Sequence, residues 1–77
     1  MKVWMIESEI REDDHRECFI GPFIDKPTLK QAERLCLAYT GVPHDGTHDA
    51  SLEIIQQTVY QNIAAFVKGT NGILWIP

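Results

Sequence analysis

The sequence predicts a single α+β domain with the element order β-β-α-α-β, in which a three-stranded antiparallel sheet carries two helices on one face. Two short apolar segments near the N-terminus have the composition of strands. Two longer segments have apolar residues at helical spacing. A last apolar segment at the C-terminus completes the sheet. The chain has 77 residues, which is the length of one domain, so we expect that domain to span residues 1–77.

The first two strands are predicted to form a hairpin. Residues 2–6 (KVWMI) are apolar at both odd and even positions, as in a strand that is covered on both faces. Residues 17–24 (ECFIGPFI) predict the second strand, in which Gly21-Pro22 marks a bulge, a bend or an edge position. The polar residues 11–16 between them predict a connection longer than a tight turn.

The first helix is predicted over residues 27–40. Its N-cap is Asp25 or Thr28, and Thr28 has the capping-box spacing to Gln31. The glycine that follows the helix is the expected C-cap, because glycine readily adopts the left-handed conformation found there. The apolar stripe of this helix consists of Leu29, Ala32, Cys36 and Tyr39. We therefore expect Cys36 to be buried.

A second helix is predicted to follow Asp49 as its N-cap and to end at Lys68-Gly69. Its apolar positions recur at intervals of three and four residues, and they are Leu52, Ile55, Val59, Ile63 and Phe66. Residues 58–60 (TVY) prefer strands, which allows a break in this helix. Residues 73–76 (ILWI) predict the terminal strand.

Charge is distributed unevenly along the chain. The formal net charge is −4, and residues 7–17 hold six acids and two bases, which accounts for the whole excess. The six acids are Glu7, Glu9, Glu12, Asp13, Asp14 and Glu17. Such a run is either the solvated face of an edge hairpin or a surface that docks on a protein partner with a basic surface. No basic patch is present, so direct binding to nucleic acid or to a membrane is not expected.

Other features bear on location and partners. Residues 1–10 have neither a long apolar region nor a small-residue cleavage site, so no secretory signal is expected and the predicted location is the cytoplasm. Cys18 and Cys36 are too few for a disulfide framework. Trp4 and Trp75 are candidate partner-binding residues, because tryptophan is enriched at binding hot spots. Apolar residues on both faces of a small sheet further predict that a homodimer or another protein covers one face.

Residues 44–49 (HDGTHD) contain histidine and aspartate side chains that could bind a metal or transfer protons. His44 and His48, together with Cys36 or Cys18, would supply three of the roughly four ligands that a zinc ion requires. His15 and Cys18, which are three residues apart near the hairpin, are further candidate ligands. The chain has no C-x-x-C pair, however, and Cys36 lies on an apolar stripe. The simpler interpretation is a turn that caps the next helix. A small metal-binding or enzyme-like domain that uses His44 and His48 is the alternative; otherwise no metal or cofactor is expected.

The sequence contains no nucleophile–base pattern and no glycine-rich phosphate loop, so it predicts a non-enzymatic protein-binding module. Its length, its acidic segment ESEIREDDHRE and its lack of catalytic residues give it a general resemblance to small acidic accessory proteins of bacteriophages, among them the anti-CRISPR inhibitors. That resemblance implies an inhibitor that acts in the host cytoplasm. Its acidic hairpin would occlude a basic, nucleic-acid-binding surface of a host protein.

Overall fold

The computed structural model describes residues 1–12, 15–69 and 72–75, apart from the side chains of Ile63 and Phe66. The described residues form β1 (Lys2–Ile10), β2 (Arg16–Phe23), α1 (Leu29–Thr40), β3 (Ala50–Tyr60), α2 (Ile63–Lys68) and β4 (Gly72–Leu74). The four strands make one mixed sheet in the order β2-β1-β3-β4, which forms a half-barrel. Strand β1 is antiparallel to both of its neighbours, whereas β3 and β4 are parallel.

The predicted three-stranded antiparallel sheet with two helices on one face is therefore wrong. The segment expected to be the second helix forms the 11-residue strand β3 and then the six-residue helix α2. Two physical reasons favour the strand. Its β-branched residues Ile54, Ile55, Thr58 and Val59 keep more side-chain freedom in a strand than in a helix. Strand β3 also pairs with β1 without a register shift, from Lys2 opposite Thr58 to Ile10 opposite Ala50.

Helix α1 begins and ends at the signals that its sequence carries. The hydroxyl oxygen of Thr28 accepts a hydrogen bond from the N–H of Gln31 at 3.1 Å. The side-chain oxygen of Gln31 accepts one from the N–H of Thr28 at 2.9 Å, so the predicted capping box is confirmed. Gly41 ends the helix with φ 76°, in the left-handed conformation. Neither helix in the described part of the chain is long and apolar enough to cross a membrane.

The core lies between α1 and one face of the sheet. Its buried centre is Ile6, Ala32 and Cys36, and the partly buried residues around it are Ile20, Phe23, Leu35, Leu52 and Ile54. The predicted burial of Cys36 is confirmed. The ends of the predicted stripe, Leu29 and Tyr39, are instead 61% and 73% exposed. Because only the middle of the stripe meets the sheet, α1 packs over a short length.

The opposite side of the sheet, which we call the outer face, has two halves. Side chains alternate along β1, so Ile6 and Ser8 point toward α1 while Glu7 and Glu9 point to the outer face. Near the start of β1 the outer face is apolar, and Val3 there is only 2% exposed. Near the end of β1 it is acidic. Strand β1 thus has apolar residues on both faces, as its composition predicts.

Strand β2 lies at one edge of the sheet and is interrupted at Gly21-Pro22. Trp4 lies opposite Phe23 whereas Ile6 lies opposite Ile20, so two residues of β2 face one of β1. Gly21 has φ 142°, and a Cβ atom there would lie 2.8 Å from the sulfur of Met5, so glycine is required at this position. The bulge and the edge position that this dipeptide predicts both occur.

Candidate functional site

An acidic surface occupies the second half of the outer face. It consists of Glu7 and Glu9 on β1, Glu17 on β2 and Glu53 on β3. Glu7 lies opposite Glu53, and Glu9 lies opposite Glu17. Directly opposed residues project to the same face with Cβ atoms about 4.5–5.5 Å apart, so the four carboxylates form one continuous surface. A shallow depression of about 210 Å³ lies within it, lined by Glu7, Glu9, Ser51, Leu52 and Glu53.

Glu53 is the member of the acidic surface that sequence reasoning missed. It is 36 or more residues from the other three along the chain, outside the acidic run of residues 7–17. Only the pairing of β3 with β1 places it beside Glu7. The signal that could have found it is the strand preference of residues 58–60, extended back along β3. The acidic surface therefore combines three acids of the run with one from a distant strand.

Arg11 is the cation bound at the margin of this surface. Its Nη1 lies 3.1 Å from Oε1 of Glu9, and its Nε lies 2.8 Å from Oδ1 of Asp49. These hydrogen bonds raise the pKa of Arg11. The hydrogen bonds from Arg11 and then from His15 lower the pKa of Glu9, which keeps that carboxylate ionised. Among the described residues, no cation forms an ion pair with Glu7 or Glu53.

Glu12, near the tip of the hairpin, joins the hairpin to the segment that precedes β3. Oε1 of Glu12 accepts a hydrogen bond from the N–H of Asp49 at 2.8 Å. The N–H of Arg11 donates to the carbonyl of Asp49 at 2.8 Å. Asp49 thus joins the hairpin to β3 instead of capping a helix, which corrects its predicted role. Asp13 and Asp14, two of the predicted partner-binding residues, lie outside the described residues.

The structure does not bring the two tryptophans to the acidic surface. Trp4 lies on the face that α1 covers, opposite Phe23, and Nζ of Lys26 lies 5.1 Å from the centroid of its ring. Trp75 follows β4, which lies at the opposite edge of the sheet from β2. The backbone N–H of Trp75 donates to the carbonyl of Tyr60 at 2.7 Å. Trp4, Trp75 and the acidic surface therefore lie in three separate parts of the described structure.

The loop at residues 44–49 is a hydrogen-bonded turn. Oδ1 of Asp45 accepts hydrogen bonds from the N–H of Thr47 at 3.0 Å and from its hydroxyl at 2.6 Å. These two bonds lower the pKa of Asp45. Gly46 between them has φ 89°. The turn interpretation of this segment is confirmed, although the strand β3 follows it where a helix was expected.

The two histidines of this loop have different environments. His44 is 7% exposed; its Nε2 lies 2.7 Å from Oγ of Ser8 and its Nδ1 lies 2.7 Å from the carbonyl oxygen of Val42. His48 is exposed, with its Nδ1 3.0 Å from the hydroxyl of Thr47. Both ring nitrogens of His44 are thus engaged within the fold.

The structure does not assemble the predicted metal ligands Cys36, His44 and His48. In the described part of the chain, the group of three potential ligands is instead Glu9, His15 and Glu17, whose ligand atoms lie within 4.8 Å of one another. All three are on the hairpin, at the edge of the acidic surface. The Glu9 oxygen that faces His15 also accepts a hydrogen bond from Arg11, so this carboxylate already has a cationic partner.

The 2.7 Å between Oγ of Ser8 and Nε2 of His44 is typical of a catalytic nucleophile and its base. Ser8, however, is too deeply buried for a substrate to reach it. A cleft of about 330 Å³ includes Ser8 in its lining, but the residue itself is only 1% exposed. Ser8 lies in the middle of β1, and its cross-strand partners are Cys18 and Leu52. A reacting carbonyl carbon must reach the hydroxyl oxygen of the nucleophile, and this burial prevents it. The pair instead attaches the loop to the sheet.

Comparisons with known proteins give no relative: no protein-family model, no curated protein and no solved structure matches the chain. The feature with the most unusual chemistry is the acidic surface, because it opposes like charges across two pairs of strands.

Proposed function

We propose that the chain is a non-enzymatic protein-binding module whose acidic surface docks on a basic surface of a protein partner. The observation that carries this proposal is the opposition of Glu7 to Glu53 and of Glu9 to Glu17 on one face. Like charges directly opposite each other destabilise a sheet. Arg11 and His15 offset this cost at Glu9, and His15 also lies 3.7 Å from Glu17. The pair Glu7–Glu53 has no such offset among the described residues, and a partner with complementary charge would supply it.

The charge of this surface is incompletely balanced within the chain. Arg11 divides its guanidinium between Glu9 and Asp49, and it leaves Glu7 and Glu53 without an ionic partner among the described residues. Surface potentials of this kind raise the rate of encounter with an oppositely charged partner and fade as salt increases. They also repel phosphates, so the target is a basic protein surface and not a nucleic acid or an anionic membrane.

The class of target follows from the same chemistry. Basic surfaces on proteins commonly serve to bind nucleic acids. We therefore propose that the chain acts in the cytoplasm, the host cytoplasm if it is encoded by a bacteriophage. There it would inhibit a host nucleic-acid-binding protein by occupying its basic surface, as an anti-CRISPR inhibitor does. This inhibitor role rests on the charge of the acidic surface and on the length and composition of the chain.

The proposal is tested by removing charge without changing shape. The test variant carries Glu7→Gln and Glu53→Gln, and the control variant carries Asp25→Asn and Glu33→Gln, which changes the net charge equally outside the acidic surface. Each protein is immobilised, and the basic proteins that it captures from host lysate are quantified at low and high salt. A purified captured partner is then titrated with each variant.

The test variant should bind that partner about two- to thirty-fold more weakly at low salt, since each exposed charge pair contributes about 0.2–1 kcal/mol. The control variant should bind like the wild type, and high salt should remove the difference. Equal binding by all three proteins would refute a role for the acidic surface. If the partner's nucleic acid still binds in the presence of saturating wild-type protein, occlusion is refuted even though docking stands.

A further inference from the structure

We propose that an extended segment of the partner adds to the sheet as a fifth strand, along the free edge of β2 over residues 16–20. This inference rests on the proposed function and gives it a binding mode. Strand β2 is the first in the order β2-β1-β3-β4, so in the described part of the chain it has a strand on one side only. Exposed strand edges bind extended peptides through main-chain hydrogen bonds.

The register identifies the backbone groups at this free edge. The N–H of Arg11 donates to Asp49 on the β3 side, and the carbonyl of Met1 accepts from Val59, so odd-numbered residues of β1 direct their backbone groups to β3. Successive residues alternate, and even-numbered residues therefore bond to β2. Their partners on β2 are Arg16, Cys18 and Ile20. It follows that Glu17 and Phe19 direct their N–H and carbonyl groups away from β1, toward the free edge.

Two clefts lie between strand β2 and the end of α1, on the inner side of this edge. A cleft of about 320 Å³ is lined by Cys18, Phe19, Ile20, Gly21 and Tyr39. A second cleft of about 330 Å³ continues toward the start of β2 and shares Cys18 and Tyr39 with the first. Tyr39, near the end of α1, is 73% exposed, so its ring is available to an incoming side chain. The free edge and helix α1 thus border one extended groove.

The side chains on either side of the edge predict the occupant. Side chains of an added strand alternate between the two faces of the sheet. On the α1 side they would contact the clefts beside Cys18, Ile20 and Tyr39, which favours apolar residues. On the outer face they would lie beside Glu17 and Phe19, at the margin of the acidic surface, which favours lysine or arginine. The expected segment is extended and alternates apolar with basic residues.

Two features restrict what binds here. The bulge at Gly21-Pro22 ends the regular edge, and Pro22 has no N–H to offer, so the added strand pairs over about five residues. A second copy of this chain is a poorer occupant. Its own β2 carries Glu17, and pairing the two edges would bring a second acidic surface next to the first.

The test uses a synthetic nine-residue peptide in which lysine and valine alternate, and a control peptide of the same composition with the lysines and valines in separate blocks. Phe19→Pro removes an N–H at the free edge. It spares the hydrogen bonds to β1, because the N–H of Phe19 points away from β1. Proline is tolerated at edge positions of this kind. Phe19→Ala is the matched control, since it removes the ring and keeps the N–H. Binding is measured by titration, and hydrogen exchange is followed at the N–H groups of Glu17 and Phe19.

The alternating peptide should bind more tightly than the blocked peptide and should slow exchange at Glu17 and Phe19. Phe19→Pro should weaken binding at least about tenfold, and Phe19→Ala by no more than about threefold. The edge proposal is overturned if the wild type binds neither peptide, if it binds both equally, or if the two Phe19 variants bind alike. It is also overturned if sedimentation shows a dimer in which exchange at Glu17 and Phe19 is already slow. Should Glu7→Gln with Glu53→Gln weaken partner binding while Phe19→Pro does not, the acidic surface stands and strand addition alone fails.

Discussion

The hydroxyl of Ser8 donates a hydrogen bond to Nε2 of His44 across 2.7 Å, and this direction is set by the other ring nitrogen. Nδ1 of His44 lies 2.7 Å from the carbonyl oxygen of Val42, which can only accept, so Nδ1 carries the proton. In the neutral imidazole Nε2 is then the acceptor, and the Ser8 hydroxyl is the donor. These two hydrogen bonds, of which the one to Ser8 is buried, hold the loop at residues 44–49 against the middle of β1.

The Ser8–His44 bond should contribute measurably to stability. Ser8→Ala leaves Nε2 of His44 buried without a donor, which costs about 1–3 kcal/mol in the free energy of unfolding. His44→Ala should cost at least as much, because it also removes the bond to Val42. The double variant should cost less than the sum of the two single variants when unfolding is followed in urea. Additive costs would show that the two side chains do not interact in solution.

The capping box of α1 provides a second test of stability. Thr28→Ala removes the acceptor for the N–H of Gln31, and it should lower the free energy of unfolding by about 1 kcal/mol. Thr28→Ser keeps a hydroxyl at this position and serves as the control. Equal losses for the two variants in thermal or urea unfolding would contradict the contribution of the cap.

Helix α1 could be predicted because the residues that determine its two ends are adjacent to those ends in sequence. Thr28, Gln31 and Gly41 act on backbone groups within a few residues of themselves, so their effect does not depend on the rest of the fold. The bulge at Gly21-Pro22 is local in the same sense. Proline lacks an N–H and glycine accepts positive φ wherever the strand lies in the sheet.

Strand β3 could not be predicted with the same means. Leu52, Ile55 and Val59 have helical spacing, but Ile54 is also apolar, and a segment that is apolar at both odd and even positions satisfies either period. The choice is made by pairing with β1, whose residues lie between 40 (Ile10 to Ala50) and 56 (Lys2 to Thr58) positions away in sequence. The composition of the acidic surface depends on that same pairing, since without it Glu53 has no reason to lie beside Glu7.

Cys36 should be protected from thiol reagents in the folded protein. It is fully buried in the core, and that burial raises its pKa above the ordinary 9.0, so little thiolate is present near neutral pH. Labelling of a Cys18→Ala variant, in which Cys36 is the only thiol, should be at least about tenfold slower in buffer than in denaturant. A Cys36→Ala variant reports on the half-buried Cys18 and should label faster in buffer. Equal rates for the two variants would contradict the packing of α1.

The Glu9 carboxylate should make stability depend on pH in the acidic range. Arg11 and His15 lower its pKa from the ordinary 4.5 in the folded state. A carboxyl group whose pKa is lower when folded stabilises the protein above the ordinary pKa, and this contribution is lost as the pH falls through the folded pKa. Unfolding midpoints of the wild type should therefore decrease below about pH 4.5 more steeply than those of Glu9→Gln. The variant Glu33→Gln should follow the wild type; if Glu9→Gln does so as well, Glu9 is not ion-paired in solution.

Replacing Glu53 should increase the stability of the fold and weaken partner binding. Glu53→Gln removes the like-charge opposition to Glu7, so it should raise the free energy of unfolding by about 0.2–1 kcal/mol at low salt, and high salt should reduce this gain. The same variant should weaken capture of a basic partner, because it removes one carboxylate from the acidic surface. Glu33→Gln on α1 provides the control for a general change in charge. If Glu53→Gln leaves both stability and capture unchanged, Glu53 and Glu7 do not repel each other measurably, and Glu53 has no role in docking. A gain in stability without a loss of capture would mean that the partner contacts Glu9 and Glu17 and not the half of the surface on β3.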